Sequence, residues 1–229
     1  PFSNLANGLE NTFRKFFSDD AQNAVFINSG ETTIAYKGLQ MGRQIQFTND
    51  DLLYIYALKE LERLFNKNKN VDFFFINSSS LNSKFVFKQK QPFNTKKIPK
   101  NLNNFSKLKK SQKTKFFELI NPSISWDFML AMFLTISRRK NFIKNINILD
   151  KKKLNDPRIW STIDNTVPHV KIFSHSFKNS DCYIQARPLS VNLFGEKGWS
   201  HIYPFIMIIR IPELLDIYRK NGLPFFKYI

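Results

Sequence analysis

From Lys84 to Lys115 the chain carries eleven lysines and no acidic residue, the first carboxylate coming at Glu118. No compact interior accepts such a stretch, because each ammonium would lose its hydration with no carboxylate nearby to replace it. The stretch is therefore solvated or bound to a polyanion, and any core is built from the sequence around it. Asn, Gln and Ser, with Pro92 and Pro99, make it read as a long basic arm or loop inserted at about 89–117. A second basic cluster follows in Arg138, Arg139, Lys140 and Lys144 and in Lys151–Lys153, the last of these within another insertion at about 150–167. Over the whole chain 35 Lys and Arg face 18 Asp and Glu, a net charge of +17. A surplus of that size repels itself unless a polyanion neutralises it. Nucleic acid is the first expected partner and an anionic membrane surface the second.

The rest of the 229 residues holds enough apolar material for one sizeable core. Three segments read as helices. Thr48 fits as the cap of the first, with Asp50 and Asp51 in its opening turn and Leu53, Ala57, Leu61 and Leu64 forming a stripe at spacings of three and four. Lys59, Glu60, Glu62 and Arg63 are its wet face. The second runs from about Ser125 to Arg139 and is apolar on most of its circumference. The third starts at Pro212, packs through Leu214, Leu215, Ile217 and Tyr218, and closes on Arg219-Lys220-Asn221-Gly222. Strands are expected at 24–28, 32–36, 71–76, 84–88, 170–173, 189–194 and 205–211, where β-branched and aromatic residues concentrate. Leu189 to Leu193 alternates as a strand with one wet face, Phe205 to Ile209 is apolar throughout and reads as a central strand, and Phe85 and Phe87 point inward from a strand over Lys84–Lys88. Without a regular βαβ beat, the expected fold is a single α+β domain over 1–229, a mostly antiparallel sheet with helices on one face. No apolar run reaches about 18 residues, so no membrane span is expected, and Pro1 to Phe17 does not read as a secretory signal.

Enzymatic chemistry finds no footing. One cysteine excludes a disulfide framework, and His169, His175 and Cys182 match no zinc spacing, so neither a metal site nor a cofactor is expected. His169 reads as a surface histidine on a strand and Cys182 as a small half-buried strand residue. Gly38 and Gly42 lack the spacing of a phosphate loop. The carboxylate pairs Asp19-Asp20, Asp50-Asp51 and Glu60/Glu62 suit caps and solvent faces better than acid–base work. What remains is electrostatic: lysines interleaved with Phe85, Phe87, Phe93, Phe105 and Phe116 combine cations for phosphates with flat rings for unstacked bases. The expected RNA-binding residues are Lys84, Lys88, Lys90, Lys96, Lys97, Lys100, Lys107, Lys109, Lys110, Lys113, Lys115, Arg138, Arg139 and Lys140.

The run Asp20 to Glu31, an apolar strand ending in Asn28-Ser29-Gly30, is similar to the first strand of the universal L-five family of large-subunit ribosomal proteins. Asp51 to Phe65 resembles that family's first main helix, Trp126 to Ile136 its second, and Phe205 to Ile211 its late core strand. Leu214-Leu215 followed by Asn221-Gly222-Leu223-Pro224-Phe225 resembles its leucine-rich last helix and the turn after it. The resemblance implies a ferredoxin-like α+β fold and a structural place in the central protuberance of the large ribosomal subunit. Its implied partners are rRNA, neighbouring ribosomal proteins and the peptidyl-site tRNA, the last through a loop beginning near Asn77-Ser78-Ser79-Ser80. The abundance of Phe, Lys, Asn and Ile, the residues of A- and T-rich codons, suggests an organellar version, hence a ribosome of the mitochondrial matrix. Three other readings stay open, one of them an isolated RNA-processing protein. Thr162 to Pro168 resembles the hairpin region of the small-subunit S-seven family, and a peripheral subunit of a membrane-bound respiratory complex would turn its lysines to anionic lipid.

Overall fold

A computed structural model describes residues 25–29, 32–33, 51–54, 56–82, 84–85, 88, 97–125, 135–156, 158, 161–195 and 203–224. Thr48, Asp50, the segment 126–134, Phe87, Lys90, Phe93, Lys96 and Phe225 lie outside the described residues. The strands are β1 (Val25–Ser29), β2 (Thr32–Thr33), β3 (Asp51–Leu53), β4 (Phe73–Asn82), β5 (Asn103–Asn104), β6 (Gln112–Lys115), β7 (Thr135–Arg138) and β8 (Asp181–Phe194). The helices are α1 (Ala57–Lys67), α2 (Arg139–Lys144), α3 (Lys151–Leu154), α4 (Ile163–Thr166), α5 (Pro168–Ser176), α6 (Tyr203–Phe205) and α7 (Ile211–Lys220). The fold is α+β, and its one described sheet is mixed. It runs β2-β1-β7-β4-β8-β3, with β5 added to β4 and β6 to β8.

Phe73-Phe74-Phe75-Ile76 explains the layering. Alternate residues of a strand face opposite sides, and here both sides are covered. Phe73 and Phe75 join Ile172, Phe173, Leu214 and Tyr218 from α5 and α7. Phe74 and Ile76 join Ala57, Leu61 and Leu64 of α1 on the other side. Helices therefore lie on both faces, not on one, and the unbroken apolar run is what a doubly covered central strand requires. The Phe73 ring meets those of Phe116, Phe173 and Phe177 at centroid distances of 5.3, 5.0 and 5.1 Å.

The longest ladder, β4 against β8, is parallel, whereas the pairs β1–β2, β1–β7, β3–β8, β4–β5, β4–β7 and β6–β8 are antiparallel. Phe73 lies beside Cys182 and Ile76 beside Gln185, after which the register shifts so that Ser78 lies beside Ser190. Buried Asn77 fills the irregularity. Its Nδ2 donates to the carbonyls of Ser106 (3.0 Å) and Ala186 (2.8 Å), while its Oδ1 accepts from the N–H groups of Ser78 and Ser106, both at 2.9 Å.

Several elements differ from expectation for identifiable reasons. Asp51 to Leu53 pairs with β8, so helix α1 begins only at Ala57, although its stripe of Ala57, Leu61 and Leu64 is buried as expected. Thr135 to Arg138 is a strand inserted between β1 and β4, with Thr135, Ile136 and Ser137 all buried; four residues with one aliphatic side chain carry too little pattern to tell helix from strand by period. Val170 to Phe173 is helical. Pro168 opens α5, and His169, Val170, Ile172 and Phe173 are all buried, which removes His169 from the surface. Phe205 to Ile211 is also helical, α6 passing through a π-helical turn over Ile206–Arg210 into α7, and within that turn only Ile206 and Arg210 are buried. Lys84 and Phe85 start a helical turn, the Lys88 N–H donating to the Lys84 carbonyl at 3.1 Å. Thr162 to Pro168 forms a capped helical turn, not a hairpin. Ser190 is buried, its hydroxyl donating to Ser78 Oγ at 2.9 Å, so the expected wet face of β8 is covered. Asn77-Ser78-Ser79 likewise lies buried within β4, and no tRNA-approaching loop begins there.

Candidate nucleic-acid interface

The lysine-rich stretch is anchored to the sheet. β5 pairs with β4 at Ser79 and Ser80, and β6 pairs with the far side of β8 from Gln112–Ile184 to Lys115–Asp181. The connection from Phe105 to Ser111 thus crosses β4 and β8, three strand spacings or roughly 14 Å. Ser106 is buried against Asn77, Leu108 packs on the Phe73 side of the core, and the Ser111 hydroxyl accepts from the Ala186 N–H at 2.9 Å. With Ser106 and Leu108 turned inward and the Ser111 hydroxyl tied to β8, Lys107, Lys109 and Lys110 are left exposed. The segment is a strap whose apolar and hydroxyl groups hold it down and whose ammonium groups face water.

The strap is one part of a longer basic surface. Lys113 and Lys115 are exposed on β6, where edge lysines also discourage pairing with a foreign strand. Lys84, Lys88, Lys97 and Lys100 are exposed at the other end of the stretch, near Phe85, Ile98 and Leu102, which pack on Leu81 and Val191. Phe116 is fully buried in the main core and Phe85 packs half-buried on Leu81 and Val191, so these two of the rings expected to stack on bases serve the interior, while Phe105 is half-buried.

Two expected RNA-binding residues are engaged internally. Arg138 Nε lies 2.9 Å from Asp72 Oδ1, and its guanidinium also donates to the Lys69 carbonyl. Lys115 Nζ lies 2.5 Å from Asp181 Oδ1. The Asp72 N–H donates to the Asp181 carbonyl at 3.2 Å, so Arg138, Asp72, Asp181 and Lys115 form a row across β7, β4, β8 and β6. The bond from Lys115 holds the Asp181 carboxyl below its usual range. Lys140 is exposed on α2; of Arg139 only the backbone position, at the start of that helix, is described.

Sequence reading missed a second cationic surface on α1. Arg187 Cζ lies 3.9 Å from the centroid of the Tyr56 ring. Arg63 holds Glu60 through two bonds of 2.8 and 2.5 Å. That hydrogen bond, followed by the charges of Arg63, Arg187 and Lys67, lowers the Glu60 carboxyl below its ordinary value. Arg187 before Pro188 does signal an exposed, extended residue, but nothing near it in sequence announces Tyr56.

Among the described residues the two histidines and the cysteine that the sequence offers at 169, 175 and 182 form no metal-holding group. Burial, then the charges of Asp181 and Asp72, pushes the Cys182 thiol far up, which makes it inert as a nucleophile. Among the described residues no group of three His, Cys, Asp or Glu could hold a metal ion, and no helix is long and apolar enough to cross a membrane. Comparison with known proteins finds no matching family model, no matching curated protein and no matching solved structure.

Proposed function

We propose that this chain is an RNA-binding structural protein of a ribonucleoprotein particle, with the large subunit of a mitochondrial ribosome as the particle it best suits. The carrying observation is the strap: Lys107, Lys109 and Lys110 stand outward on a backbone fixed by Ser106, Leu108 and Ser111, continued by Lys113 on β6. Among the described residues none of these four is in an ion pair, whereas the next lysine, Lys115, pairs with Asp181. A fixed row of ammonium groups on an exposed surface suits the regular charge of an RNA backbone. The ribosomal part of the proposal draws on the L-five resemblance where the observed elements agree with it: the strand at Val25–Ser29, the Leu61/Leu64 stripe of α1, and α7 with its Gly222-Leu223-Pro224 turn. The ferredoxin-like arrangement enters only through the antiparallel pairs flanking the β4–β8 ladder. Any contact with peptidyl-site tRNA falls to Lys84 and Lys88 beyond β4. Neighbouring ribosomal proteins suit the apolar surface of Phe205, Ile208 and Ile209, of which Ile208 is 71% exposed.

Affinity for a structured RNA hairpin, measured by fluorescence anisotropy across a salt series, tests the RNA reading. Its logarithm should fall with the logarithm of salt at a slope of roughly 0.7 to 0.9 per phosphate contact. An affinity unchanged by salt overturns it. Sedimentation in high-magnesium buffer tests the particle, which must be the large subunit.

A further inference from the structure

We propose that Arg187 and Tyr56 form a stacking platform for an unpaired RNA base, beside the phosphate-binding lysines; this rests on the RNA-binding reading above. Tyr56 is a ring with both faces used. The Tyr54 ring lies parallel to it, 5.3 Å between centroids and 9° between planes, and Arg187 Cζ stands 3.9 Å from its centroid. A guanidinium and a parallel ring cannot share one face at these distances without overlap. They therefore lie on opposite sides, giving the order Tyr54, Tyr56, Arg187, with the exposed arginine outermost. The two tyrosines are held in place before anything binds. The Tyr56 hydroxyl donates to the Pro188 carbonyl at 2.7 Å and the Tyr54 hydroxyl to Ser79 Oγ at 3.2 Å. Little side-chain freedom is left in them to lose on binding.

A guanidinium set over an aromatic ring leaves its outer side to solvent, and Arg guanidinium planes accept unstacked bases in single-stranded RNA. The surroundings favour the attached phosphates. Arg63 and Lys67 on α1 lie close enough to Glu60 to act on its charge, and Arg63 neutralises that carboxylate directly. Tyr183 packs against the same α1-side core as Tyr56 and stands opposite Lys113 across the β6–β8 pair. The platform and Lys113, at the edge of the lysine surface, therefore share one side of the sheet. Inside a duplex every base is stacked and unavailable, so the platform discriminates single strands from helices, which the lysines alone do not.

The test uses the full chain, a labelled single-stranded oligoadenylate, an A-form RNA duplex of the same length, and Arg187→Lys, which keeps the charge and loses the plane. Single-strand affinity should fall roughly fivefold or more, the effect of losing one base stack, while duplex affinity and the thermal unfolding midpoint stay unchanged. Equal losses on both RNAs make Arg187 a phosphate contact and overturn the platform. Unchanged binding to both, with or without a lower unfolding midpoint, makes the stack a structural feature of β8 and also overturns it, leaving the RNA reading intact. If the parent chain binds neither RNA, the RNA reading fails and the platform falls with it.

Discussion

Asn77 concentrates at one residue the link between fold and surface. An asparagine side chain offers two donors and two acceptor positions, and here all are used, on β4, on β8 and on Ser106 of the strap. Replacing it by alanine leaves the Ser78 and Ser106 N–H groups and two buried carbonyls without these partners, and each such group costs about 1–3 kcal/mol. Asn77→Ala should therefore destabilise the chain by at least about 2 kcal/mol, read as a lower urea midpoint at unchanged slope. Asn77→Asp should cost more, because it replaces both donors by a carboxylate facing two carbonyl oxygens. A loss below about 0.5 kcal/mol for both variants, inside the range of ordinary surface changes, would mean that the strap is held by something else. None of this is legible from Asn77-Ser78-Ser79-Ser80 alone. Those residue types favour turns because their side chains can bond their own backbone. In β4 they keep local bonds, from the Ser78 N–H to Asn77 Oδ1 and from Ser78 Oγ to the Ser79 carbonyl, but add bonds with Ser106, Ala186, Ser190 and Tyr54, partners supplied only by the assembled sheet.

At the level of elements, legibility follows amphipathicity. Helices α1 and α7 each have a wet side, so their apolar stripes are visible at spacings of three and four, and α7 is also bounded by Pro212 and by Gly222 at φ +114°. Where both sides are covered, as at Thr135–Arg138, the period vanishes and with it the distinction between helix and strand. Phe205 to Ile211 misleads for a different reason. Its β-branched and aromatic composition suits a strand, but the run leads directly into α7, and Phe205, Ile208 and Ile209 are left exposed on helical backbone. Composition reports what a surface could pack against, not whether a sheet edge is available. The docking of α7 rests on Leu214, 1% exposed, and on the fully buried Tyr218, whereas Leu215 is only half-buried. Leu214→Ala should thus cost on the order of 2–5 kcal/mol, and Leu215→Ala clearly less, in denaturant unfolding of the two variants side by side. A larger loss at Leu215 would mean that the helix is rotated from the position described.

Over the whole molecule the basic surface opposes folding unless a polyanion meets it. Lys107, Lys109, Lys110 and Lys113 repel one another across the strap and the edge of β6, and with a net charge of +17 the rest of the chain offers little relief. Their presence in the sequence is plain; their placement is not, since an acid-free run reads equally as a mobile arm or a fixed one. Buried Ser106, half-buried Leu108 and the Ser111 bond to β8 decide between these, and no lysine contributes to that anchoring. Changing the four lysines together to glutamine, and keeping Lys115 for Asp181, should therefore leave the strap in place and the fold intact. Two measurements then separate surface from scaffold. The log–log salt slope of RNA binding should shrink by up to about 3.6, four phosphate contacts at roughly 0.7 to 0.9 each. At low salt the variant should also unfold at equal or higher urea than the parent, because like charges have been removed, and the difference should vanish near 1 M salt, where screening acts within about 3 Å. Detaching the strap by Leu108→Asp should instead lower stability at every salt concentration and weaken RNA binding with it. If the glutamine variant behaves like Leu108→Asp, the lysines belong to the scaffold and the electrostatic reading of the molecule is wrong.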